Sequence, residues 1–89
     1  SVPQEYVPDF VVEFPSGRKV YIEGKGYFRP EDRRKLVAVR NGNPEIDLRI
    51  VFQRDQKLSK HHKMTYSQWA TREGFPWAVG SIPKEWLDE

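Results

Sequence analysis

With 89 residues, no cysteine and a formal charge of only +2, this chain cannot be a disulfide-stapled scaffold or a thiolate–zinc module, and its net charge alone does not argue for nucleic acid. No apolar run reaches the length of a membrane span, and no charged-then-apolar leader opens the chain, so a soluble, cytoplasmic protein without a membrane partner is expected. The length implies one small domain, residues 1–89, whose modest core must lean on its three Trp, five Phe and four Tyr.

Residues 1–6 read as a lead-in that is disordered or held by a partner. Residues 10–14 (F-V-V-E-F) then read as a buried or half-buried strand, followed by a Pro15-Ser16-Gly17-Arg18 turn. Residues 19–25 alternate, with Val20, Ile22 and Gly24 on one face and Tyr21, Glu23 and Lys25 on the other, which predicts an antiparallel hairpin. Pro30-Glu31-Asp32 is a helix start, with proline in the first turn and acids at the positive end of the macrodipole. That helix carries Leu36, Val37 and Val39 and stops at Asn41-Gly42-Asn43-Pro44. Residues 47–52 (D-L-R-I-V-F) form the next strand, and residues 53–64 a polar, basic loop. Thr65-x-x-Gln68 is a capping box ahead of a short helix ended by Gly74; residues 76–79 make a short strand, and residues 83–88 a helical turn anchored by Trp86. The strand–helix–strand passage implies a right-handed crossover, hence a small α/β domain with a mixed sheet.

The chemistry concentrates in Pro8-Asp9 and, after thirteen intervening residues, Glu23-Gly24-Lys25. Two carboxylates on neighbouring strands of a hairpin can hold a hard cation such as Mg²⁺, with a backbone carbonyl at Gly24, waters and a substrate phosphate completing the shell. Such a cation activates water and offsets charge on a phosphate. Lys25 shares a strand face with Glu23 and is suited to orienting the attacking water. A metal-dependent phosphodiesterase is one reading; an exposed acid–lysine pair beside a turn aspartate is the plain alternative. Glu5 and Glu13 are the local candidates for a third acid, although Glu13 lies about 13 Å along the strand from Asp9, while Glu31 and Asp32 belong to the helix start.

Basic side chains collect at Arg29, Arg33, Arg34 and Lys35, and again at Arg54, Lys57, Lys60 and Lys63, with His61 and His62 inside the second group. Together they form a candidate stripe for a phosphate backbone, against the alternative of ordinary solvated faces. Adjacent histidines on an extended loop point apart and chelate poorly, so phosphate contact or solvent is their expected role. Trp69, Trp77 and Trp86 read as core, against the alternative of stacking on bases, and Tyr27 and Phe28 as packing under the next helix or as the wall of a substrate groove.

At Tyr6-x-Pro8-Asp9-Phe10 and Glu23-x-Lys25-Gly26 the chain resembles the PD-(D/E)xK nuclease superfamily. More fully it is similar to the phage endonuclease I family, the Holliday-junction resolvases of T-seven-like bacteriophages. That likeness continues through Asp32-Arg33, Pro44-Glu45-x-Asp47-x-Arg49-Ile50-Val51-Phe52, Lys57-Leu58 and Ile82-Pro83-x-Glu85-Trp86. The resemblance implies a restriction-endonuclease-like sheet flanked by helices and a Mg²⁺- or Mn²⁺-dependent endonuclease acting on branched DNA in recombination, within the host cytoplasm. It assigns Asp9 and Glu23 to metal and Lys25 to catalysis. It also implies an intertwined homodimer exchanging an N-terminal helix and strand, the helix bringing a further glutamate. This chain begins about where that bridge ends, so the expected sheet lacks that strand and exposes an edge, and the metal site is one acid short. Two other readings stand beside the resolvase: a DNA-structure-binding subunit that needs a separate N-terminal piece, and a nicking nuclease of different specificity.

Overall fold

Gly17, at φ 91°, lets the Pro15–Arg18 segment reverse direction, and its N–H donates to the Phe14 carbonyl at 2.8 Å. In the computed structural model, which describes residues 6–89, this turn joins β1 (Phe10–Glu13) to β2 (Lys19–Lys25) as the expected antiparallel hairpin. Then come α1 (Pro30–Gly42), β3 (Leu48–Phe52), α2 (Tyr66–Glu73), β4 (Trp77–Val79) and a 3₁₀ turn at Lys84–Leu87. The strands form one mixed sheet in the order β1-β2-β3-β4, with β2, β3 and β4 parallel. The α/β class and its mixed sheet therefore stand as the strand–helix–strand order predicts.

Both crossover helices cover the same face of the sheet. Leu36 and Val39 of α1, and Tyr66, Trp69 and Ala70 of α2, pack with Leu48, Ile50 and Phe52 of β3. Phe28 sits at the centre of this cluster, edge-on to Phe52, Tyr66 and Trp69 at centroid distances of 5.2, 5.5 and 5.0 Å. Each such pair adds about 0.5–1.5 kcal/mol beyond area burial. The opposite face is smaller: Phe14, Val20 and Ile22 pack under Ile82 and Trp86, so the C-terminal turn is a cover for the second side of the sheet.

Helix ends follow their local chemistry. Thr65 Oγ1 accepts from Gln68 N and Gln68 Oε1 accepts from Thr65 N, closing the expected box, and Gly74 ends α2 at φ 83°. Pro30 and Asp32 open α1, where Asp32 Oδ2 accepts the Arg29 N–H at 2.9 Å.

β1 is a half-buried edge strand, as expected, with Phe14 just after it covered, Phe10 and Val11 largely exposed and only β2 pairing with it among the described residues. Two expectations change. Tyr6, placed in the lead-in, is instead buried in the larger core; the rest of the lead-in, residues 1–5, lies outside the described residues. Trp77, read as core, is 39% exposed, and its indole N–H donates to Thr71 Oγ1 at 2.8 Å, so it serves as a polar tie on the α2 side.

Phe28→Ala is expected to remove about 3–5 kcal/mol of stability, whereas Tyr27→Ala, at an exposed position, stays within about 0.5 kcal/mol. Urea unfolding of the two variants beside wild type checks the contrast.

Candidate active site

Hairpin register brings the acids together. The ladder ends where Phe10 pairs with Ile22, and the bend at Asp9, just before Phe10, stands next to the Glu23–Lys25 end of β2. The odd residues of β2 spend their backbone groups on β3, as in Tyr21 N to Asp47 O and Gln53 N to Lys25 O, so the backbone of Gly24 faces β1. Gly24 lies beyond the last β1 pairing, so among the described residues its carbonyl has no partner in the β1 ladder. Its N–H is taken by the Asp9 side chain, at 2.8 Å from Oδ2. Pro8, which has no N–H, cannot extend that ladder as a donor.

Glu23 is only 7% exposed. Tyr6 donates its hydroxyl to Glu23 Oε1 at 2.8 Å, while Oε2 lies 3.9 Å from Lys25 Nζ. Burial pushes the Glu23 carboxyl above its ordinary value; the Asp9 charge adds to this, and the Tyr6 hydrogen bond with Lys25 and Lys35 only partly reverses it. Burial, then the Glu23 contact, pushes the Tyr6 phenol up as well, so its hydroxyl keeps the proton it donates.

Lys25 Nζ lies 3.3 Å from Asp32 Oδ1, so Asp32 serves two groups at once, the start of α1 through Oδ2 and Lys25 through Oδ1. Partial burial raises the Asp32 carboxyl, but the Arg29 N–H and the Lys25 charge outweigh it and hold the group below its usual value. Sequence reasoning gave Asp32 only the first task and missed Tyr6. The signal for Tyr6 was an aromatic hydroxyl three residues before Asp9, close enough in chain to reach the same strand.

The site lies at the carboxyl ends of the parallel strands, where open α/β sheets place ligands. The basic loop leaves β3 at the same end. Gln53 N bonds Lys25 O, and a cavity of about 110 Å³ lined by Gly26, Tyr27, Gln53, Arg54 and Gln56 sits beside the lysine. Asp55 accepts from Ser67 N at 3.0 Å and also bonds the Ser67 hydroxyl, and a bridge joins Lys57 to Thr65. This pinned loop exposes Arg54, Lys57, Lys60, His61, His62 and Lys63. His62 Nδ1 accepts from Met64 N at 3.0 Å, and no metal-holding group forms with His61 among the described residues. On α1, Arg34 is exposed, Lys35 places its ammonium 6.0 Å from the Tyr6 ring centroid, and Arg33 gives one guanidinium N–H to Phe28 O at 2.8 Å. Of the two third-acid candidates, Glu13 is exposed and joins no metal-holding group among the described residues, and Glu5 lies outside the described residues.

Among the described residues no three acids or histidines gather into one group, so the ligands at hand are the Asp9 and Glu23 carboxylates and the Gly24 carbonyl. All are hard oxygens, and the carbonyl left without a ladder donor is the kind of group a hard cation satisfies. The residues fit Mg²⁺ or Mn²⁺, with water and substrate supplying the remaining positions.

The raised Glu23 carboxyl has a consequence for stability. Between its unfolded value, near 4.5, and its raised folded value the native state holds a proton that the unfolded state has released, so stability falls as pH climbs through that window. In metal-free buffer Glu23→Gln is expected to melt above wild type at neutral pH, with the gap closing below pH 4.5; calorimetric melts across pH 3–8 measure it.

Residues 2–89 match the family model described as phage endonuclease I. The chain is 36% identical over 85 residues to Endonuclease I of Escherichia phage T7, covering 94% of this chain and 54% of that protein. It is 37% identical over 79 residues to Endodeoxyribonuclease 1 of Enterobacteria phage T3, covering 88% and 49%. It spans about half the length of the curated relatives it matches. With the matched residues running through the hairpin, both helices and the C-terminal turn, the chain belongs to the phage endonuclease I family.

Proposed function

We propose that this chain carries the catalytic centre of a divalent-metal-dependent DNA endonuclease that hydrolyses phosphodiester bonds in branched DNA, four-way junctions above all. The observation that carries the reading is the meeting of Asp9, Glu23 and Lys25 at the open end of the sheet, beside Gly24, whose N–H holds the Asp9 carboxylate. The relatives' names, Endonuclease I and Endodeoxyribonuclease 1, support DNA as substrate.

Asp9, Glu23 and the Gly24 carbonyl are the proposed ligands of Mg²⁺ or Mn²⁺. When bound, such a cation supplies Lewis acidity toward phosphate and lowers the pKa of water. Asp9 is steadied by the Gly24 N–H, and Glu23 by Tyr6. Lys25, held between two carboxylates, presents its ammonium to the attacking water and to a phosphate oxygen. Phosphates along the strand meet Arg34, Lys35, Arg54, Lys57, Lys60, His61, His62 and Lys63, with Arg33 at the margin. These contacts position DNA without reading bases, so selectivity for junctions rests on shape and deformability. Among the described residues only β2 pairs with β1, and that open edge supports pairing with a further strand, from a second copy in a homodimer or from a separate N-terminal segment. The proposed setting is the host cytoplasm, where the DNA is; no helix among the described residues is long and apolar enough to cross a membrane.

The shortage of a third acid among the described residues favours a second reading, in which the chain binds DNA structure and cuts only with an acid supplied from elsewhere. One assay separates the two. With Mn²⁺ and a four-way junction or a nicked duplex, the first reading expects metal-dependent cleavage that falls about a hundredfold or more in Glu23→Ala and Lys25→Ala. Junction binding that weakens steeply with salt, with no cleavage, supports the second reading. Undiminished cleavage by both variants refutes the first.

A further inference from the structure

Two side chains of the segment before β1 grip consecutive residues of β2: Asp9 takes the Gly24 N–H, and Tyr6 takes Glu23 Oε1. Tyr6 is 6% exposed and locked in the larger core, so its hydroxyl is a fixed donor. Lys35 of α1 lies over its ring, closing the other side. A glutamate carboxylate otherwise rotates broadly about its last torsion. With Oε1 held at 2.8 Å, rotation is stopped with Oε2 on the Lys25 side.

We propose that Tyr6 is the positioning residue of the metal site: its hydroxyl holds Oε1 of Glu23 and leaves Oε2 preset for a divalent cation. This rests on the reading of Glu23 as a metal ligand. Outer-shell partners that orient a ligating carboxylate act through affinity, because a free carboxylate must be ordered when the cation binds. Tyr6 touches neither substrate nor cation, so its removal raises the metal requirement far more than it lowers the rate at saturating metal.

The test measures Mn²⁺ binding to the purified protein by electron paramagnetic resonance, together with junction cleavage across a Mn²⁺ titration. Four proteins are compared: wild type, Tyr6→Phe, Glu23→Gln and Phe28→Leu. Tyr6→Phe keeps the buried ring and is expected to raise the Mn²⁺ dissociation constant about ten- to a hundredfold, with cleavage largely recovered at saturating Mn²⁺. Phe28→Leu loosens the same core without touching the carboxylate and is expected to leave that constant within about twofold, which separates positioning from packing. Wild-type affinity in Tyr6→Phe, or an equal loss in Phe28→Leu, overturns the inference while the Glu23 reading stands, provided Glu23→Gln has lost binding. Wild-type affinity in Glu23→Gln overturns both.

Discussion

Taking a carboxylate out of water costs several kcal/mol unless hydrogen bonds and opposite charges replace its hydration. Glu23 is held almost entirely out of water, and its surroundings compensate only in part. Tyr6 offers a hydroxyl, Lys25 an ammonium at 3.9 Å and Lys35 a more distant charge, while Asp9 works against them. The arrangement keeps two acids together where one would be easier to hold. A dication placed between them would relieve that tension, which is the physical support for the proposed cation site.

Topology explains why so few residues suffice. β1 runs opposite to β2, so its start lies beside the end of β2; β3 runs with β2, so its exit and the basic loop open at the same end. A single hairpin register and a single crossover therefore collect Asp9, Lys25, the first turn of α1 and residues 53–64 without a long loop. Both helices sit on the face that carries Tyr21, Glu23 and Lys25, which is why Glu23 is covered while Gly24, on the other face, is exposed.

Much of the fold was legible in the residues. Alternation separated Val20 and Ile22 from Tyr21 and Glu23, proline marked the start of α1, and the Thr65–Gln68 pair marked that of α2. What escaped was whatever depends on a partner distant in sequence. The run 10–14 read as buried or half-buried, and which of its residues are covered depends on the sheet: Phe14 is buried while Phe10 and Val11 stay in solvent, because nothing stands on the outer side of β1 among the described residues. Tyr6 read as lead-in, and its burial follows from the cluster formed by α1, β3 and α2. Asp32 was identified by its place in a helix start, which says nothing of an ammonium arriving from β2.

The double engagement of Asp32 binds a local opening of the chain to the freedom of Lys25. Helix ends fray at a small fraction of the free energy of global unfolding, and here the terminal carboxylate of the first turn is also the lysine's nearer counter-ion. When that turn opens, Arg29 N–H loses its acceptor and Lys25 loses its anchor in the same event. The placement of Lys25 between Glu23 and Asp32 is thus coupled to the local opening of a helix terminus, an event of the backbone and not of the chemistry it adjoins.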